Sequence, residues 1–363
     1  MPVISARQVV LPARVVDGAA LEIDDQGRVV EVRDHGGPYD HHSLVPGLID
    51  LQVNGHDDID VAAARDQDWE RLDQLLLAQG VTAWCPTLVT GALEAYAAPL
   101  ARMATAMARA SLAPEILGVH LEGPFLGDRP GAHRQDLLRS VDRDWLDGLP
   151  GQVAIVTVAP ECRGADEAWD WAQRRGAVAS VGHTGASAAA AVVAFDAGAR
   201  MVTHLFNAMS GLDHRDPGVA AAALLDDRIT AGLIADGAHV HPDLIRLAFR
   251  AKGPSRICLV TDAVAWRRGS AGSLELHFDG VVPRLADGTI AGSALTMDQA
   301  MVNVIAWGAT DLVGAVRAAS TTPADLIGRP DLGRLLPGAR ADVAALDAEG
   351  RCVATWLAGV PAA

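Results

Sequence analysis

Short apolar runs recur along the middle of the chain, each closed by polar residues and followed by a segment with helical spacing. The runs are Gly47–Asn54, Val81–Leu88, Glu115–Glu122, Val153–Ala159, Ala177–His183, Met201–Phe206, Ile229–Asp236 and Arg256–Asp262. Between them lie alanine- and leucine-rich stretches such as Asp68–Gln79, Leu93–Arg109, Ala165–Arg174 and Ser187–Ala197. Strand–helix alternation at this spacing predicts parallel βα units. Eight strands is the number that closes a (β/α)8 barrel, so an α/β protein built on such a barrel is expected. An open doubly wound sheet is the rival, but no run is followed by the Gly-x-Gly-x-x-Gly turn that would favour it.

The two ends of the chain have a different rhythm. Leu21–Val32 alternates apolar and polar residues around Asp24-Asp25-Gln26-Gly27, which predicts a hairpin. Ala341–Leu357 repeats the style around Glu349-Gly350. Residues 1–45 and 334–363 are therefore expected to form one small β-sandwich domain beside a barrel spanning 46–333.

Composition narrows the function. Half of the 363 residues are hydrophobic and 21% are charged, which leaves ample material for a large core. A net charge of −15 argues against a nucleic-acid surface, so an anionic small molecule would need locally placed Arg and His. Cys85, Cys162, Cys258 and Cys352 are scattered with no Cys-x-x-Cys pair, as suits buried thiols in a reducing compartment. No stretch is apolar enough to span a bilayer. The segment Met1–Arg7 lacks a basic region followed by a long apolar run. A cytoplasmic protein with no membrane partner is expected.

The candidate chemistry lies where the runs end, because a barrel carries its active site at the C-terminal ends of its strands. Gln52, Asn54, Glu122, His183, His204, Asp236 with His239, and Asp262 all fall there. Glu122 is the most telling. The apolar run of Ile116, Leu117, Val119 and Leu121 stops abruptly at Glu122-Gly123-Pro124, and a buried carboxylate needs a partner or a metal. A single histidine at a strand end is more often packed than ligating. Glu122, His183 and His204 together, however, make a common catalytic ligand set for zinc or a related divalent ion. Asp262 reads either as the cap of the next helix or as a general base. In the second role it takes a proton from the attacking water and returns it to the leaving group.

The motifs His120-Leu-Glu-Gly-Pro-Phe125, Val158-Ala-Pro-Glu161, Gly182-His-Thr-Gly-Ala186, Thr203-His-Leu-Phe-Asn-Ala-Met209, Ala235-Asp-Gly-Ala-His239, Val260-Thr-Asp-Ala263 and Ala291-Gly-Ser-Ala-Leu-Thr-Met297 occur in this order. From Pro46-Gly-Leu-Ile-Asp50 to the terminal strands, the series resembles the N-acetylglucosamine-6-phosphate deacetylase family of the amidohydrolase superfamily. That resemblance implies a metal-bearing TIM barrel beside a small β-sandwich, assembled as a homodimer. The implied reaction hydrolyses the acetamide of N-acetylglucosamine 6-phosphate to the amine and acetate. The same chemistry on N-acetylgalactosamine 6-phosphate or an N-acyl amino acid is the alternative. The resemblance places the metal ligands at Glu122, His183 and His204, and the acid/base at Asp262. It assigns polarisation of the substrate carbonyl to His133. Sugar contacts fall on Ala132, Asn207, Ala208, Ile290, Ala291 and Gly292. Phosphate contacts fall on His239 and Arg215, with Arg215 serving the neighbouring subunit. Arginine suits phosphate because its planar fork makes two charge-assisted bonds.

Two stretches depart from the pattern. Many superfamily members carry His-x-His at the end of the first strand, where this chain has Gln52-Val53-Asn54. An amide is a poor ligand beside an imidazole, so one divalent ion per subunit is expected. Zinc is placed first, and iron, manganese and cobalt tolerate the same set. The second departure is His56-Asp57-Asp58 in place of a glycine-rich turn, accompanied by an unusual Trp266-Arg267-Arg268 loop. These are expected to be solvated loop residues or to alter the pocket mouth.

Overall fold

The computed structural model describes residues 2–109 and 112–362. Eight parallel strands form the centre: Leu48–Val53, Val81–Val89, Val119–Glu122, Val153–Val158, Val178–Val181, Met201–Val202, Thr230–Leu233 and Ile257–Leu259. Each pairs with the next in chain order. The ring closes between the eighth and the first through a parallel bridge of Val53 with Ala263. The Asp262 N–H also donates to the Gln52 carbonyl at 2.9 Å, and the Asn54 N–H to the Ala263 carbonyl at 2.8 Å. The expected barrel is thus present. Its strands read as continuous apolar runs because barrel interior and helix layer bury both of their faces. In the second strand every residue but the last is buried.

The helices between the strands turn an apolar stripe inward. Ala165–Arg175 is representative: Ala168, Trp169, Trp171 and Ala172 are buried. Asp166 and Glu167 sit in its first turn and Arg174 and Arg175 in its last, complementing the helix dipole. Gly176 ends it in the left-handed conformation that glycine adopts without strain.

Two of the expected strands are interrupted. The run Glu115–Glu122 is divided into Glu115–Ile116 and Val119–Glu122. Gly118 stands at φ 138°, and a side chain there would meet Ala154 Cβ at 2.6 Å. The sixth strand is only Met201–Val202, because the chain leaves the ladder at Thr203 and turns left-handed at His204.

The chain ends build one seven-stranded sheet, running from Val360–Pro361 through Cys352–Leu357, Val343–Leu346, His41–Pro46, Val3–Leu11 and Arg14–Ile23 to Val29–Asp34. The expected hairpin is there, with Leu21 opposite Val32. Period-two alternation divides the faces. Leu44, Val343 and Ala345 join a small core of their own, while Val45, Ala344 and Leu346 face the barrel. Gly47 carries the chain from this sheet into the first barrel strand, so close to Thr82 that any side chain would strike its hydroxyl. No helix among the described residues is long and apolar enough to cross a membrane.

Candidate active site

Glu122, His183 and His204 end the third strand and follow the fifth and sixth, so the barrel's closure brings them together. Glu122 Oε1 lies 3.1 Å from His183 Nε2 and 2.9 Å from His204 Nε2, and the two nitrogens are 3.0 Å apart. All three residues are buried. The Pro130 carbonyl lies 3.1 Å from His183 Nδ1 and can only accept, so that nitrogen carries the proton. The lone pair of His183 Nε2 then points at a carboxylate oxygen, an arrangement that calls for a cation between them. A carbonyl holding the outer nitrogen of a ligand imidazole is also the usual support at metal sites. The cluster therefore fits a divalent ion. His204 Nδ1 is buried without a partner among the described residues, so the protein leaves its tautomer open. Burial opposes ionisation of Glu122, but the imidazoles beside it hold its carboxyl well below the usual range.

The backbone at these positions is unusual. His183, His204 and Asp262 stand at φ 51°, 32° and 49°. Non-glycine residues there cost about 1–3 kcal/mol each and persist where the surroundings enforce them, which they tend to do at functional sites.

Asp262 follows the eighth strand. Its Oδ1 accepts from the Asn54 amide at 2.7 Å and from the Gln52 amide at 3.1 Å, and Gln52 Nε2 also donates to Glu122 Oε1 at 2.9 Å. Gln52 thus links the two carboxylates, and Asn54 holds Asp262 alone. Burial and then the charge of Glu122 push the Asp262 carboxyl up to about 8. A cation in the cluster would oppose that rise.

His133 lies on the loop after the third strand, yet it is buried. The Thr90 N–H donates to its Nδ1 at 3.2 Å, and the Thr90 hydroxyl lies 2.8 Å from the same atom. Nδ1 is therefore the acceptor, and Nε2 carries the hydrogen and faces the cluster, 3.9 Å from Glu122 Oε2. Burial, followed by the neighbouring His183, lowers its titration to about 3, so the ring is neutral. Glu122, His133 and His183 also place one ligand atom each within 4.8 Å of one another. The bond from Thr90 nonetheless makes His133 a hydrogen-bond donor, and His204 is the better third ligand.

A pocket of about 300 Å³ opens above these groups. Ala132, Asn207, Ala208, His239, Ile290, Ala291 and Gly292 all line it. Asp236 holds His239 in place, accepting from its Nδ1 at 2.7 Å and from its backbone N–H at 2.8 Å. Asn207 gives its amide hydrogens to the carbonyls of His204 and Leu205, so its own carbonyl is the group left to face the pocket. Arg215 does not line the pocket. It is exposed, in a loop running outward from Gly211, and forms no ion pair among the described residues.

The two departing stretches meet each other. Asp57 Oδ1 pairs with Arg267 Nε at 2.8 Å, and the Arg267 N–H donates to the Asp57 carbonyl at 2.7 Å. Arg71 adds a contact to Asp58 at 3.1 Å. None of these residues lines the pocket. They fasten the excursion after Asp262, which brings Ala271, Leu274 and Ile290 over the site.

Several supporting residues escaped the sequence reading. Thr90 and the Pro130 carbonyl fix the two histidine tautomers. Glu161 accepts from the Gly185 N–H at 2.9 Å and from the Thr184 hydroxyl, tying down the turn that bears His183. Its place in the Val158–Glu161 motif was the one available signal.

The amidohydrolase family matches residues 43–360. N-acetylglucosamine-6-phosphate deacetylase of Bos taurus is 36% identical over 95% of this chain and 88% of its own. N-acetylgalactosamine-6-phosphate deacetylase of Shewanella sp. (strain ANA-3) is 38% identical over 87% of this chain and 82% of its own. The structure of a variant N-acetyl-D-glucosamine-6-phosphate deacetylase from Mycobacterium smegmatis, in complex with N-acetyl-D-glucosamine-6-phosphate, superposes with a TM-score of 0.91 at 35% identity. That match covers 99% of this chain and 98% of the other.

Proposed function

The chain belongs to the amidohydrolase family, and from that premise we propose that it hydrolyses N-acetylglucosamine 6-phosphate to glucosamine 6-phosphate and acetate. The observation that carries this reading is the meeting of Glu122, His183 and His204 at one point, with Asp262 and the His133 N–H lining the same pocket.

Glu122, His183 and His204 would hold one divalent cation per subunit, zinc first, which supplies Lewis-acid polarisation and eases ionisation of water. We expect a single ion, because Gln52 and Asn54 stand where a pair of imidazoles would hold a second one, an amide is a poorer ligand than an imidazole, and their NH2 groups are turned to the carboxylates of Glu122 and Asp262. Asp262 takes a proton from the attacking water and delivers it to the amide nitrogen as the C–N bond breaks. His133 Nε2–H donates to the carbonyl oxygen, where negative charge gathers in the transition state. Asn207, Ala208 and the segment Ile290–Gly292 hold the sugar.

The phosphate is the group this single chain serves least. Among the described residues no Lys or Arg lines the pocket, and His239 is the lining residue assigned to the phosphate. The exposed Arg215 and the exposed Leu212 beside it support a homodimer in which each subunit lends Arg215 to the other. We read the protein as cytoplasmic, with 46–333 as the catalytic domain and 1–45 plus 334–363 as the smaller one.

The similarity to an N-acetylgalactosamine-6-phosphate deacetylase favours a second reading, in which the 4-epimer is the substrate. The test is metal analysis of the purified protein alongside acetate release from both epimers and from N-acetylglucosamine without phosphate. Stoichiometric metal with release from the phosphorylated gluco sugar is expected. Preference for the galacto epimer would move the assignment to the second reading. No acetate from any of the three would overturn both.

A further inference from the structure

A second cleft, of about 280 Å³, lies directly behind one wall of the catalytic pocket. Its lining is mostly apolar: Ala62, Leu88, Ala95, Tyr96 and Pro99 contribute, with the edge of Gly272. Val89 faces both spaces. It ends the second barrel strand, and its register partner on the third is Glu122 itself.

The rest of the partition is a hairpin turn. Ala271 and Leu274 line the pocket, whereas Gly272 and Ser273, between them in sequence, line the cleft. Gly272 lets this turn rest on the strand, since a side chain there would come within 3.1 Å of Val89 Cγ2. The turn is anchored. Asp60 Oδ2 accepts from the Gly272 N–H at 2.9 Å and from the Ser270 hydroxyl at 3.1 Å. The strand end is anchored too, for the Tyr96 hydroxyl donates to the Val89 carbonyl and accepts from the Gly91 N–H, both at 3.1 Å. With both backbones held, the two methyls of Val89 are the removable part of the wall.

The position of that wall decides which part of a substrate it meets. Asn207 and Ala208 follow the sixth strand, and Val89 ends the second, so they face each other across an eight-stranded ring. A secondary amide is planar and trans, which puts the acyl chain on the side opposite the nitrogen's substituent. With the sugar toward Asn207 and the carbonyl oxygen toward His133, the acyl chain points at Val89.

We infer that Val89 sets the acyl-chain length, and that the cleft behind it is an acyl site for N-acyl amino-sugar phosphates longer than the acetyl compound once that wall is thinned. This rests on the deacylation proposed above. The reaction itself is unchanged: water oxygen joins the acyl carbon, the C–N bond breaks, and nitrogen leaves with a proton as the amine.

The test measures kcat/KM for amine release from N-acetyl, N-propionyl and N-butyryl glucosamine 6-phosphate, using the metal-loaded protein. Since one methylene in an apolar pocket is worth about 10–200-fold, Val89→Ala should raise the butyryl-to-acetyl ratio by about tenfold or more. Adding Ala95→Leu, which fills the cleft from its far side, should return the ratio toward the wild-type value. Val89→Ile thickens the wall and should lower the propionyl-to-acetyl ratio, so the idea stays testable if the alanine variant folds poorly. Ratios that stay at the wild-type value in the folded variants, with acetyl hydrolysis intact, overturn the acyl wall alone. A wild type that cleaves none of the three sinks the deacylation reading and this inference together.

Discussion

The floor of the pocket and its rim are built on different principles. On the floor, Glu122, His183, His204 and Asp262 end or directly follow barrel strands, lie buried, and mostly have their bonding partners specified by the protein. At the rim, the contacts come from loops, from the fastened excursion 266–292, and, in the proposed dimer, from a second chain. The floor fixes chemistry because ladder geometry sets where a strand end points. The rim selects substrate because loops can vary without disturbing the ladder.

The sharpest way to break this division is at the floor. Asp262→Asn should lower kcat by about 10²–10⁴-fold, the contribution of a positioned general base, while metal content stays that of the wild type. Near-normal turnover would remove Asp262 from its role. Loss of metal alongside activity would show that Asp262 belongs to the ion's ligand set instead.

A rim change should act on binding. Arg215→Ala is expected to raise KM for the phosphorylated sugar by about tenfold or more with a smaller change in kcat, as for loss of a charge-assisted contact. The dimer makes a further demand. Mixing Arg215→Ala subunits with Asp262→Asn subunits should restore activity, because one site in each mixed dimer then holds native Asp262 and native Arg215. No restoration on mixing would place Arg215 outside the neighbour's site.

The last effect is on stability and leaves the chemistry alone. Asp50 braces the floor by accepting from the N–H and hydroxyl of Thr261, the residue before Asp262. Burial pushes its carboxyl up to about 7, from 3.8, despite those bonds. The folded state therefore holds the proton more tightly than the unfolded chain. The stability this contributes is complete below the unfolded value and is lost as pH rises through about 7. Asp50→Asn should remove that dependence, making the fall in stability between pH 4 and 7 shallower by on the order of 1 kcal/mol per pH unit at its steepest. Parallel denaturation curves for the two proteins across that range would contradict it.

Much of the floor was legible in the sequence, for a physical reason. Strands buried on both faces must be continuously apolar, so a carboxylate or imidazole closing such a run stands out. Glu122 after Leu121 and Asp262 after Val260 are cases of this. His133 was not legible in that way. Its burial and its tautomer depend on Thr90, which is 43 positions away in the chain. Nor did Asp57 and Arg267 reveal their pairing, since each looks like an ordinary loop charge until the fold puts them 2.8 Å apart.

By itself the sequence determined the number of barrel strands, the sheet built from both ends, and which side chains could meet, because hydrophobic periodicity is a local property of the chain. Only the tertiary structure decided which nitrogen of His133 and of His183 carries its proton, that Arg215 lies outside its own pocket, and that Val89 lines two neighbouring cavities. Those outcomes depend on distances between residues remote in sequence, and such distances exist only once the ring has closed.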